Sequence, residues 1–268
     1  MSIADWSSYV LERGAPYNRI AWNKTNLTGI AGKPMSFWLT APGAGVAPTT
    51  AAVPTRATAG ALGQLNATAV QRLLRTRLVS QQSGMLYLVD RLSHQGGLSG
   101  IVTGAQTTNL PTAALTRYTT GADVRLWLEI YTAVGATGTT VTASYTNQAG
   151  TAGQTTVATV FGGTNFQLAS QLLELPLAAG DSGVRAVANV NLVATTGTAG
   201  NFGVTLAKVL LAIPVFGQGI PDLNEWDSML QLGGCAPEIL SDACLFWVFH
   251  SNTSSTGTQA GEVFIAEE

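Results

Sequence analysis

The stretch "ADVRLWLEIYTAV", residues 122–134, alternates with a strict period of two. Val124, Leu126, Leu128 and Ile130 fall on one side, and Arg125, Trp127, Glu129 and Tyr131 on the other. Only a strand sends successive side chains to opposite faces, so this run predicts a strand with an aliphatic inner face. Several other segments read as strands: "MLYLVDRL" (85–92), "TTVTASYT" and "QTTVATVF" around the turn "NQAGTAG", "GVRAVANVNLVA" (183–194) and "FGVTLAKVLLAIPVF" (202–216). In 183–194 the inner face is read as Val184, Ala186, Ala188, Val190 and Leu192. Pro214 limits how far a central strand can continue. "CLFWVFH" and "EVFIA" are expected to pair with each other at the end of the chain.

Two of these strand pairs share a "GTAG" turn, at 150–153 and 197–200, and both are predicted to be hairpins. Short strands joined by glycine turns, with no alternating helices, point to a sandwich or barrel and away from a parallel βαβ sheet. Helical spacing is confined to short segments. Residues 3–12 are expected to form one helix and "DLNEWDSMLQLGG" (222–234) another. In "NATAVQRLLRTRLVSQQ" (66–82), Ala69, Val70, Leu73, Leu74 and Leu78 share a helical face behind a capping Asn66. Arg72, Arg75 and Arg77 then form a small basic patch or a solvated face. Residues 14–60, with Pro34, Pro42, Pro48 and Pro54, read as an extended arm. The expected organisation is therefore an arm over 1–65 and a β-sandwich over 66–268, led by the helix.

Charge is the second constraint. Charged residues make up 10% of the 268-residue chain, against roughly 25% in ordinary soluble domains. The surface must then be built from Thr, Ser, Asn, Gln and Gly. No apolar run approaches the ~18 residues of a membrane-spanning helix, and a net charge of −2 gives no sign of a nucleic-acid partner. Across 144–160, "SYTNQAGTAGQTTVATV", no ionisable acid or base of the Asp, Glu, Lys, Arg or His type occurs. Such a sheet face can meet another protein without stranding an unpaired charge. The N-terminal "MSIADWSSYVLERG" does not resemble a secretion signal. The sequons at Asn23, Asn26, Asn66 and Asn252 are expected to stay unmodified, and Cys235 and Cys244 to stay thiols.

Catalytic signals are sparse. His94 lies near Asp90, Ser93 and Ser99, but no nucleophile elbow is present, and His250 stands alone. Asp123, Glu129, Glu174 and Asp181 are scattered carboxylates with no sign of the paired geometry of a glycosidase. No metal-ligand spacing occurs, and "GAG" at 43–45 lacks the context of a dinucleotide site. Trp127 and Trp247 could stack on sugars but are read as packing residues. Hence no catalytic, cofactor or metal residues are expected, and the chain reads as a non-enzyme.

Residues Asp90-Arg91-Leu92, His94 and Gly96-Gly97-Leu98-Ser99, followed by Ser144 to Gly153, resemble structural proteins of tailed bacteriophages. The likeness covers about 84–160. It implies a virion component, in the manner of a jelly-roll capsid decoration (cement) protein. Such proteins are typically homotrimers bound to the major capsid protein at the capsid surface, after assembly in the host cytoplasm. The alternative is a tail-associated adhesin or carbohydrate-binding module that uses exposed aromatics. The fold expectation is all-β: a jelly-roll-like sandwich with an extended N-terminal arm and one or two short helices.

Overall fold

The computed structural model describes residues 19–63, 71–111, 114–228 and 236–267. All its named elements are strands: β1 (Arg19–Lys24), β2 (Pro34–Ser36), β3 (Gln71–Leu98), β4 (Gly104–Leu110), β5 (Val124–Thr132), β6 (Gly138–Asn147), β7 (Gln154–Thr155), β8 (Thr159–Gly162), β9 (Leu172–Glu174), β10 (Val184–Leu192), β11 (Asn201–Asp227), β12 (Glu238–Ile239), β13 (Leu245–Ser251) and β14 (Gln259–Glu267). They form two antiparallel sheets. The larger runs β1-β14-β3-β11-β5-β9, with β2, β12 and β13 attached, and the smaller runs β4-β10-β6-β7, with β8 on β6. The all-β expectation stands; these strand orders do not establish a jelly roll.

The spine is the antiparallel pair of β3, 28 residues long, and β11, 27 residues long. They pair from Leu98↔Phe202 to Arg75↔Asp227. The helix expected at 66–82 is overturned from residue 71 onward, and residues 64–70 lie outside the described residues. Residues 71–80 have β14 on one edge, and 75–82 have β11 on the other. Leu73 and Leu78 enter one apolar cluster while Leu74 meets Phe264 and Ala266 in another. Two-sided pairing and burial on both faces outweigh helical spacing there. The helix expected at 222–234 is likewise replaced by strand over 222–227, and the one at 3–12 lies outside the described residues.

Pro214 does not stop β11. The partner β5 ends its pairing at Lys208, so beyond that point β11 has β3 on one side only. A proline on such an edge interrupts no second ladder. The C-terminal strands do not pair with each other. They lie in tandem on β3, β13 against Gly84–Asp90 and β14 against Gln71–Ser80.

The predicted hairpin between 183–194 and 202–216 is also absent. β10 pairs β4 and β6, whereas β11 pairs β3 and β5, so the second "GTAG" turn carries the chain from one sheet to the other. Thr196 fixes that crossing. Its hydroxyl accepts from Gly135 N–H and donates toward the Gly100 carbonyl, at 3.0 Å each. A Cβ at Gly135 or at Gly100 would collide with this Thr196. The first turn does join paired strands, β6 and β7.

Between the sheets lies one apolar core. Val124, Leu126, Leu128 and Ile130 meet Phe202, Val204 and Leu206 from the larger sheet and Val141, Tyr145, Val190 and Leu192 from the smaller. In β10 the inward set is Val184, Val187, Val190 and Leu192. Register shifts at 184/186 and 187/189 turn Ala186 and Ala188 away from the expected face, as a bulge does.

The described part of the arm packs on this chain's own sheet. β1 pairs β14, β2 pairs β13, and Ala52 bridges His94. Trp38 anchors the cover, buried against Phe246 and His94. Gly45 and Gly60 wrap this indole, and a Cβ on either would strike it. That contact accounts for the glycine in the "GAG" run.

Candidate functional site

Three of the residues considered for catalysis, Asp90, His94 and Glu129, lie in one closed cluster beneath Trp38. Arg91 and Glu129, both fully buried, form a two-pronged pair: Nη1 donates to Oε2 at 2.6 Å and Nη2 to Oε1 at 2.9 Å. Thr205 Oγ1 and Tyr131 OH also donate to Glu129 Oε2, at 2.7 and 3.2 Å. The guanidinium packs against the rings of both Trp38 (4.1 Å) and Phe246 (4.3 Å), which themselves meet edge to face. Next to it, Arg117 clamps Asp90 at 2.9 and 3.0 Å, and Cys244 N–H donates to the same carboxylate.

Burial opposes each of these charges. Glu129 is nonetheless held below the ordinary carboxylate range by Arg91 and its hydrogen bonds, whereas burial pushes Asp90 up against the pull of Arg117. Burial and the Arg91 charge push His94 down to about 3, so its imidazole is neutral at ordinary pH. Asp90 binds Arg117 and not His94, and Ser93 Oγ donates to the Ala52 carbonyl. Ser99 N–H is taken up by Gln106. These groups therefore form no Ser-His-Asp relay. The cluster locks the cover onto the sheet.

The remaining candidates have partners of their own. Asp123 takes Lys208 at 2.9 Å, Glu174 takes Arg125 at 3.0 Å, and Asp181 accepts from Tyr145 OH at 2.6 Å. Asp123, Glu174 and Asp181 border one depression of about 490 Å³, and Glu129 does not join them. Arg72 faces Glu238, and Arg75 and Arg77 face Glu225, so these arginines form neither the basic patch nor the solvated helix face, but pair with carboxylates across strands. Trp247 is fully buried and Trp127 is 7% exposed. Trp127, with His250, lines a groove of about 400 Å³. Cys244 is a buried free thiol, pushed by burial up to about 12. Cys235 lies outside the described residues. Among the described residues no His, Cys, Asp or Glu group could hold a metal ion, and no helix is long and apolar enough to cross a membrane.

What stands out at the surface is the outer face of the smaller sheet. Its five strands contain one charged residue, Arg185. The Arg185 guanidinium donates to the carbonyls of Thr120 and Gln148. On β6 the residues Thr140, Thr142, Ser144 and Thr146 point outward, alternating with buried Val141, Ala143 and Tyr145. Cross-strand rungs follow from the register: Thr107–Asn189–Ser144–Thr155, then Ala105–Asn191–Thr142. A third rung sets a valine on each side of Thr140. Val160 pairs Thr140, and Val193 N–H donates to the Thr140 carbonyl, leaving Val160 and Val193 59% and 67% exposed. The neutrality of this face was visible in the sequence of 144–160. The valine-flanked rung was not, because its valines lie 33 residues apart (193 − 160) and meet only through β6.

No family model and no curated protein matches the chain. Two virus structures align with the chain at low similarity. The infectious bursal disease virus VP2 subviral particle aligns over 93% of this chain and 80% of its own, at 10% identity and a TM-score of 0.20. The Gt strain of that virus aligns over 92% and 80%, at 9% identity and 0.17. At such scores the likeness bears no weight for fold or function.

Proposed function

We propose that the chain is a non-enzymatic structural protein of a virion, and more finely a capsid decoration (cement) protein of a tailed phage. In this reading it forms a homotrimer on the major capsid protein, at the capsid surface, after assembly in the host cytoplasm. The observation that carries the proposal is the five-stranded sheet face with a single, already satisfied charge. The phage-like run over 84–160 agrees with it.

The mechanism is additive burial. Apolar contact contributes roughly 25 cal/mol per Å² before ordering costs, and a symmetric oligomer multiplies weak contacts. Threonine and asparagine suit such a surface, because each can bond to a partner or to trapped water without desolvating a charge. Arg19–Lys24, Pro34–Ser36 and Trp38 pair or pack on this chain's own sheet, so in this reading the face of the smaller sheet is the contact surface. An adhesin reading has less support, since the described tryptophans Trp22, Trp38, Trp127, Trp226 and Trp247 are all buried.

Co-sedimentation with shells of the cognate major capsid protein tests the proposal. Saturable binding that raises the temperature at which the shells break is expected. Shells that neither bind the protein nor gain stability would overturn the decoration role.

A further inference from the structure

We propose that the groove over Tyr87, Trp127, Leu172, Val209 and Val248 docks an extended segment of a partner protein, one that sets a large apolar side chain beside a lysine or arginine. This groove lies on the larger sheet and does not depend on the contact proposed for the smaller one.

The five residues of the floor belong to the same apolar cluster as Trp38. At one end of that cluster the chain covers itself, with Trp38, Leu39, Ala47 and Ala61 packed on it from the N-terminal segment. At the other end the layer opens into the groove of about 400 Å³. Pro34 and His250, which are register partners on β2 and β13, wall it on one side, and Arg125 and Glu174 border it too. An apolar floor between polar walls is stabilised by an apolar group that displaces water from it. The covered end shows the kind of occupant this layer takes. It is an extended stretch of polypeptide, held by bridges such as Met35↔Gln171 and by a buried aromatic anchor.

Charge selects the rest of the occupant. Arg125 and Glu174 also border the depression that holds Asp123 and Asp181, so the two hollows share a wall. That wall is an ion pair, and Asp123 is balanced by Lys208. Asp181 is not balanced in this way. Its carboxylate accepts from Tyr145 OH at 2.6 Å and from Asn147 Nδ2 at 2.7 Å, and neither donor is charged. Three carboxylates thus face two cations, which leaves one negative charge in excess beside the apolar groove. A cationic side chain finds its counter-charge there, whereas an acidic segment is repelled.

The test titrates the full chain into labelled, capped Ser/Thr peptides that carry one Phe and one Lys at varied spacing, read by fluorescence anisotropy. Matched peptides replace Lys by Glu or Phe by Ser. The best Phe/Lys peptide should bind roughly tenfold more tightly than either control, an advantage that added salt reduces. The double variant Asp123→Asn/Asp181→Asn should erase most of the preference for Lys over Glu. Asn tolerates the left-handed backbone at position 123 (φ 56°), and thermal melts check the fold. The peptide controls decide the question on wild type alone should the variant unfold. No saturable binding below about 1 mM, or equal binding of the Glu and Ser controls, would overturn the proposal. So would binding of a neutral sugar such as maltose in place of every peptide, or a native mass that falls as peptide is added, which would give the groove to a second copy. Each of these results leaves the smaller-sheet contact to be decided by capsid co-sedimentation.

Discussion

The two sheets share one core but handle charge in opposite ways. In the larger sheet, β1, β3, β5, β9, β11, β12 and β14 all contain charged residues, and these pair across strands or beneath a cover. In the smaller sheet, only Arg185 is charged. Both sheets bury the same kind of aliphatic inner face, so the core does not require this difference. It lies in what each outer face must meet. The larger sheet meets water and its own N-terminal segment, and ion pairs serve both. The strands of the smaller sheet carry Arg185 alone, which is what the proposed contact with another protein would require.

The comparison can be broken at its most charged point. Replacing Arg91 by Met would leave Glu129 buried without its partner. The expected loss is about 3–5 kcal/mol, read from urea unfolding. The double variant Arg91→Met/Glu129→Leu should recover most of it. A single variant as stable as wild type would show that the pair does not hold the cover in place.

The next effect is pH dependence, and its sign follows from His94. Its folded value lies near 3 and its ordinary value near 6.5, so the unfolded chain takes up the proton first. Stability is complete above about pH 6.5 and falls as pH drops toward 3, by up to about 1.4 kcal/mol per pH unit. His94→Asn should flatten that slope between pH 6.5 and 4, as followed by thermal melts. An unchanged slope would place the acid sensitivity elsewhere, in the carboxylates.

In the smaller sheet the corresponding polar contact is worth less. Tyr145 OH donates to Asp181 and accepts from Ala178 N–H at 2.8 Å. Tyr145→Phe should cost about 1–2 kcal/mol in the same urea assay. The smallest effect is expected at the exposed Arg125–Glu174 pair, whose side chains are about half exposed. Arg125→Ala should change stability by no more than about 0.5 kcal/mol. A larger loss would mean that surface ion pairs of the larger sheet bear more of its stability than their exposure suggests.

Much of this contrast was legible in the sequence, though unevenly. The alternation in 122–134 placed Val124, Leu126, Leu128 and Ile130 correctly, because β5 packs against a single continuous core. The period failed in 183–194, where two bulges move Ala186 and Ala188 outward. It failed again at 66–82, where burial on both faces of β3 mimics helical spacing. Pairing was the least legible feature. The spine joins Leu98 to Phe202, and the glycine-rich turn between β10 and β11 looks locally like any hairpin turn. Arg91 and Glu129 were visible as residue types, but nothing local announces a bond across 38 positions. The neutrality of the smaller sheet was legible because composition survives any error in pairing.

The salt dependence of the native mass separates the two faces most directly. Sedimentation equilibrium in about 50 mM and about 500 mM NaCl spans a several-fold change in Debye length. If the charge-free sheet is the interface, the chain is an oligomer of 27.8 kDa subunits whose association constant is unchanged or slightly strengthened by salt. A monomer at both salt concentrations, or an oligomer that salt dissolves, would contradict the account. The second result would move the interface to the ion-paired larger sheet.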